Sequence, residues 1–321
     1  MDCVERVRRA IHFQSPDRIP MVFFNRDQAL GDLRMIDIQN HFGGADGLQS
    51  EWGFAWNRLD ATMGQPRQPL IRCWERDLPA FRPPVRNDAV RRAWVQQQID
   101  AAQPGQYLLG SLQLSGFTVM SFLRGFDDTM ADFLLDVESL KALADLVFGF
   151  ELPLIDFAAS CGLHAVAFFD DWGTQQGPLI RPALWRSFFK PRYRAQFDRV
   201  HALGMDVYFH SCGKYDELIA DLFEIGVDML NISQPNLYDL PSLGQLYGGR
   251  HCFVIPVSYQ TTSVRGTREE IFADVRQAVD CLGGTGGGLI GYIEDYACMG
   301  MSEENYQSCI DAFRVLGCYT L

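Results

Sequence analysis

The clearest chemistry in the chain lies at Met205-Asp206-Val207-Tyr208-Phe209-His210-Ser211-Cys212-Gly213. Strand character from Met205 to Phe209 gives way to His210-Ser211-Cys212-Gly213. Side chains two apart on an extended segment point the same way, so His210 and Cys212 aim together past the strand end. An imidazole beside a thiolate offers two ligands to a borderline-soft metal, zinc first. Two ligands do not make a site. The same pair equally fits a buried cysteine next to a hydrogen-bonded histidine, so the rest of the chain must decide.

The elements that would position the pair are legible for most of the chain. Residues 2–13 read as a short amphipathic helix, broken by Ser15-Pro16-Asp17, and Ile19 to Phe24 as a buried strand. Residues 27–42 read as weakly helical. The pattern is poor over 51–75, with two short strands at most, and the prolines of 79–87 mark a linker. From 88 on the order is regular. Helices are predicted over 88–101, 115–124, 127–135, 137–161, from Pro182 to Leu203, and over 214–225, 239–247, 268–282 and 302–316. Strands are predicted over 107–110, 164–169, 205–209, 228–232, 252–257 and 289–293. The strands are unbroken apolar runs, as expected of a parallel sheet covered on both faces. About eight such units in one chain of this length point to an α/β fold, a (β/α)8 TIM barrel. We read residues 1–321 as one domain, with about 1–18 as an N-terminal helical extension.

In a barrel the site lies where strand C-termini meet. Ligand-type and polar residues recur there: Asn25, Asp170 and Asp171, His210 and Cys212, Asn231, Ser233 and Gln234, Ser258, Tyr259 and Gln260, then Glu294, Asp295 and Cys298. That recurrence lifts His210 and Cys212 above a chance pair. Asp170 and Asp171 are candidates for substrate orientation or proton transfer; the plainer reading makes one of them a cap for the following segment. Trp172 either walls the pocket or packs. Asn25, Tyr259 and Gln260 are candidates for substrate contact.

Composition excludes some classes. The chain is 47% hydrophobic and 21% charged, with net charge −12. It is therefore globular, and a poor binder of phosphate backbones. The glycine run at 283–288 precedes a strand instead of opening a helix, which argues against a phosphate cradle. No apolar run is long enough and charge-free enough to cross a membrane, and Met1 to Arg6 has no apolar signal region. A cytoplasmic protein is expected, with its nine cysteines reduced.

The ordered segments resemble the uroporphyrinogen decarboxylase superfamily of TIM barrels, which also contains cobalamin-linked methyltransferases. They are Glu5-Arg6-Val7 through Ser15-Pro16-Asp17-Arg18-Ile19-Pro20, Phe122-Leu123-Arg124-Gly125-Phe126, Asp170-Asp171-Trp172-Gly173-Thr174-Gln175, Phe209-His210-Ser211-Cys212-Gly213, Glu224-Ile225-Gly226-Val227-Asp228 and Glu304-Asn305. The resemblance spans nearly the whole chain. Porphyrinogen decarboxylases carry an arginine-rich element after the first strand; here that place holds Phe23-Phe24-Asn25-Arg26-Asp27. The resemblance therefore runs to the methyltransferase branch. Its methylcobalamin:coenzyme M members bind zinc through H-x-C and a distant cysteine near the last strand. His210 and Cys212 match the first two ligands. Cys298 is a shifted match for the third, and Glu294 or Asp295 are the alternatives. Ser258 stands where similar proteins often have Asp.

The resemblance implies a zinc-dependent methyltransferase moving a methyl group between a small substrate and the cobalt of a corrinoid. Three protein ligands leave one zinc position open, where a thiol or hydroxyl loses its proton. No corrinoid-binding D-x-H-x-x-G occurs, so methylcobalamin would sit on a separate corrinoid protein docked over the barrel mouth. A homodimer is compatible with the resemblance; nucleic-acid or membrane partners are not expected. Two other readings stay open: a metal-free decarboxylase or lyase of a carboxylated small molecule using Asp170 or Asp171, and a non-catalytic member that binds a tetrapyrrole or a corrinoid protein.

Overall fold

In the computed structural model, which describes residues 1–58 and 64–318, the strands in chain order are β1 (Met21–Phe23), β2 (Leu33–Asp37), β3 (Trp56–Asn57), β4 (Gln65–Pro66), β5 (Tyr107–Ser111), β6 (Ala165–Phe169), β7 (Asp206–Ser211), β8 (Met229–Ile232), β9 (Cys252–Pro256) and β10 (Leu289–Ile293). Eight of them close a parallel barrel in the order β1-β10-β9-β8-β7-β6-β5-β2, while β3 and β4 form a separate antiparallel pair. The fold is a (β/α)8 barrel, as the apolar strand runs predict.

The period of two decides which side chains fill the barrel. Ala165, Ala167 and Phe169 of β6 join the interior cluster with Leu109, Tyr208, Met229, Val254 and Ile290. Val166 and Phe168 face the other way, into the larger core shared with the helices. Every residue of β6, β9 and β10 is buried, which is why these strands read as unbroken apolar runs.

The N-terminal helix Cys3–Ile11 closes the bottom of the barrel. Its Val7 and Ile11 enter the interior cluster, and the amide of Gly288, just before β10, donates to the carbonyl of Ala10 at 2.9 Å. Asp2 caps the helix by accepting from the amide of Glu5 at 2.8 Å. Arg6 bridges Asp17 and Asp32, and Arg18 also reaches Asp32, at distances of 2.6–2.9 Å. This network fixes the entry to β2 and leaves the opposite rim free for chemistry.

The structure corrects the reading at three places. Residues 27–42 are not helical: they hold a 3-10 turn, Gln28–Leu30, and then a full barrel strand, β2. Carrying Arg34 and Asp37 among its five residues, β2 lacks the unbroken apolar run of β6 or β10. The stretch 79–87 is not all linker, because the helix Trp74–Ala80 extends into it with Pro79 in its last turn. The helix expected from Pro182 to Leu203 is two, Pro182–Phe188 and Lys190–Ala202. Pro191 lacks the amide needed to continue the first and opens the second.

Candidate functional site

The rim at the strand C-termini surrounds a cavity of about 690 Å³, within the size range of small-molecule sites. Its wall includes Phe24, Arg34, Asp37, Thr118, Phe169, Asp171, His210, Cys212, Ser233, Tyr259, Tyr292 and Glu294.

At one end, ligand atoms of Asp171, His210 and Cys212 lie within 4.8 Å of one another. The Cys212 Sγ is 3.5 Å from His210 Nε2, and that nitrogen is 3.7 Å from Asp171 Oδ1. The histidine's tautomer follows from its neighbours. Asn231 Nδ2 donates to the carbonyl of Val254 at 2.7 Å, which turns Asn231 Oδ1 toward His210 Nδ1 at 2.6 Å. Oδ1 can only accept, so Nδ1 carries the proton. The lone pair on Nε2 then faces the cysteine and the aspartate, the arrangement in which an outer amide orients a metal-binding imidazole.

Two loops bring these three side chains together. Asp171 follows β6, whereas His210 is the penultimate residue of β7 and Cys212 lies just beyond its end. The amide of Cys212 donates to Asp171 Oδ1 at 2.8 Å, and that of Gly173 to the carbonyl of Cys212 at 3.1 Å. The loops touch backbone to backbone at Gly173 and Gly213. A Cβ on Gly213, whose φ is +75°, would stand 2.2 Å from the carbonyl of Gly173. Glycine is required there twice over, by the positive φ and by the approach.

Burial, the Asp171 charge and neighbouring groups push the Cys212 thiol well above its ordinary pKa. The thiol keeps its proton unless a cation stabilises the thiolate. Nitrogen, sulfur and carboxylate oxygen on one small patch are the donor set of zinc, so the residues present fit that metal.

The other predicted residues separate. Asp170 is fully buried and does not line the cavity. Its oxygens accept from the amides of Phe117 and Thr118 at 2.8 and 2.7 Å, from the Thr118 hydroxyl at 2.7 Å, and from the Tyr193 hydroxyl. It holds the start of the helix Gly116–Arg124, which precedes it in the chain, rather than capping the segment that follows, and it is Asp171 that lines the cavity. Burial raises the Asp170 pKa to about 7 against those bonds. Trp172 is fully buried and packs on Phe117 and Phe189. Tyr259 lines the cavity. Gln260 bonds Asn236 and Gln175 instead. Asn25 is exposed and braces the last loop, donating to and accepting from the backbone of Asp295. Asp295 pairs with Arg26. Cys298 is exposed on the 3-10 turn Ala297–Met299 and is not in the cluster. Glu294 lines the cavity but is outside the cluster; its Oε2 accepts from Tyr292 and Tyr296 at 2.9 and 2.8 Å. Burial raises its pKa, against the pull of both tyrosine hydroxyls.

Sequence reasoning missed Thr118, Arg34 and Asp37 as cavity residues, and took Asn231 as a strand-end residue only. Arg34 and Asp37 were hidden with β2. The signal for Asn231 is its register: it pairs with His210 across β7 and β8, a placement that parallel pairing alone would have suggested.

The model of the family described as "Uroporphyrinogen decarboxylase (URO-D)" matches residues 88–307, more than half of the chain. No curated protein matches the sequence. Among solved structures, a methyltransferase from Methanosarcina mazei is similar with a TM-score of 0.73 at 14% identity, over 98% of this chain and 99% of that one. Penicillium canescens endo-1,4-beta-xylanase XylE reaches a TM-score of 0.41 at 8% identity, over 72% of this chain and 79% of that one. At 14% identity the likeness to the methyltransferase concerns the fold.

Proposed function

The chain belongs to the uroporphyrinogen decarboxylase (URO-D) family, and from that premise we propose that it is a zinc-dependent methyltransferase that moves a methyl group between a small substrate and the cobalt of a corrinoid carried by a separate partner protein. The observation that carries this reading is the convergence of Asp171, His210 and Cys212, with Asn231 turning His210 Nε2 toward the other two. The methyltransferase likeness from Methanosarcina mazei covers both chains almost entirely and is consistent with it.

His210, Cys212 and Asp171 would hold the metal. Asp171 takes the third position for which Cys298, Glu294 and Asp295 were the sequence candidates. Bound zinc supplies Lewis acidity that lowers the pKa of a substrate thiol or hydroxyl. Glu294, which lines the same cavity and is held by two tyrosine hydroxyls, would receive the proton released there. Phe24, Phe169, Tyr292 and Tyr259 wall the cavity and keep it apolar between its polar ends.

Porphyrin decarboxylation fits the wall poorly. Among the lining residues Arg34 is the single Lys or Arg, against the acids Asp37, Asp171 and Glu294. A polycarboxylate tetrapyrrole would meet repulsion there. A metal-free lyase would have to use Asp171, since Asp170 is enclosed behind the cavity.

Metal analysis by plasma mass spectrometry tests the reading. Protein prepared without chelator or histidine tag is expected to hold about one zinc per chain, lost in Cys212→Ala and His210→Ala and weakened in Asp171→Asn. Absence of zinc after the metal is supplied, or equal zinc in all variants, would overturn the assignment and leave the lyase or binding-only readings.

A further inference from the structure

The far end of the same cavity holds a cation with no assigned partner. Arg34 lines the cavity, and its Nε is buried without a hydrogen-bond partner. No ion pair within 4.0 Å involves Arg34 among the described residues, although Asp37 is close enough for its charge to be felt. Arg34 is half-buried, whereas the fully buried arginines among the described residues are matched: Arg6 to Asp17 and Asp32, Arg91 to Glu51, Arg124 to Asp132. A guanidinium drawn out of water without a carboxylate costs stability unless something else completes it. Burial accordingly pulls the Arg34 pKa down.

The way to Arg34 runs past the barrel wall. Successive strand residues point to opposite faces, yet both Arg34 and Met35 line the cavity. The cavity must therefore pass the edge of β2. That edge is open, because β1 ends at Phe23 and meets β2 through the single pair Val22 and Leu33. In barrel order β2 stands apart from β7, with β5 and β6 between them. A ligand filling the cavity would have one end at Arg34 and the other at His210 and Cys212.

We propose that Arg34 is the anchor for an anionic group, a carboxylate, on the small molecule that reacts at the other end of the cavity. The planar fork of a guanidinium takes both oxygens of a carboxylate at once. The inference rests on the proposed methyl transfer only in placing the reacting end at His210 and Cys212; the anion site stands on Arg34 and the open seam.

Calorimetric titration of the zinc-supplied protein with 8-mercaptooctanoate, 8-mercaptooctan-1-ol and octanoate, chains long enough to cross from β7 to β2, separates the two readings. Arg34→Gln is expected to weaken 8-mercaptooctanoate and octanoate by about 10- to 100-fold, the scale of a lost charged hydrogen bond, and to leave the alcohol unchanged. Cys212→Ala is expected to weaken both thiols and leave octanoate alone. Loss of the Cys212 effect alone would fail the metal reading and keep the anion site. Equal effects of Arg34→Gln on acid and alcohol, or no binding of either acid at about 10 mM, would overturn the anion site. If Arg34→Gln does not fold, Arg34→Lys carries the test: it keeps the charge and loses the fork, with an expected loss of about 3- to 10-fold for the acids alone. An unchanged affinity there would overturn the proposal.

Discussion

The two ends of the cavity are built on opposite plans. At the β6–β7 end every donor is braced: Asp171 accepts the amide of Cys212, Asn231 holds His210, and Gly173 and Gly213 lock the two loops. At the β1–β2 seam the strands share one residue pair, and Arg34 lines the cavity with its Nε unpartnered among the described residues. One end is satisfied within the protein and fixed in geometry. The other leaves a guanidinium donor unsatisfied. Preorganised donors suit a group that must be held in one arrangement, while an unpaired cation suits a ligand that brings its own counter-charge.

The sharpest way to break the contrast is Gly213→Ala. The added methyl meets the Gly173 backbone and the positive φ is lost to strain, so a destabilisation of roughly 3–5 kcal/mol is expected in urea unfolding. A change under ~1 kcal/mol would mean that the loops part easily.

Behind the braced end lies Glu151, fully buried, accepting from the amide of Gly116 and from Gln196 at 2.9 Å each. Burial raises its pKa from 4.5 to about 8. The native state therefore keeps a proton that the unfolded chain releases, so this contribution is fully present below about pH 4.5 and is lost as pH rises toward about 8. Glu151→Gln should flatten that loss, gaining on the order of 3 kcal/mol over wild type between pH 5 and pH 9. Parallel stability curves for the two proteins over that range would refute it.

Asn231→Ala leaves Asp171, His210 and Cys212, the proposed ligands, in place but frees the imidazole. Zinc affinity is expected to fall about 10- to 100-fold, measured by competition with a chelating dye. An unchanged affinity would show that the β7–β8 packing alone holds the ring.

The smallest effect belongs to the seam. Arg34→Gln should change the stability of the ligand-free protein by no more than about 1 kcal/mol, because it breaks no ion pair. A larger loss in thermal unfolding would recast Arg34 as structural and erase the contrast.

The legibility of the sequence followed the same division. Strands β5 to β10 announced themselves as apolar runs, and with them His210, Cys212, Asp171 and Glu294. The spacing of His210 and Cys212 held because alternation along a strand is a local property. By contrast, β2 was lost behind Arg34 and Asp37, and the cavity's cation went with it. Cys298 looked like a ligand by residue type and chain position, yet the turn Ala297–Met299 carries it to the surface. Asp170 and Asp171 were alike on paper; strand alternation sent one under the helix Gly116–Arg124 and the other into the cavity.

Sequence alone determined the barrel, the strand-end location of the site and the His210–Cys212 pair, since periodicity and burial preference are written locally. Tertiary structure decided the placement of Asp171 beside His210 and Cys212, the tautomer of His210 and the exposure of Arg34 to the cavity. Those depend on which strand lies beside which and on how closely two loops approach. No single segment encodes that distance.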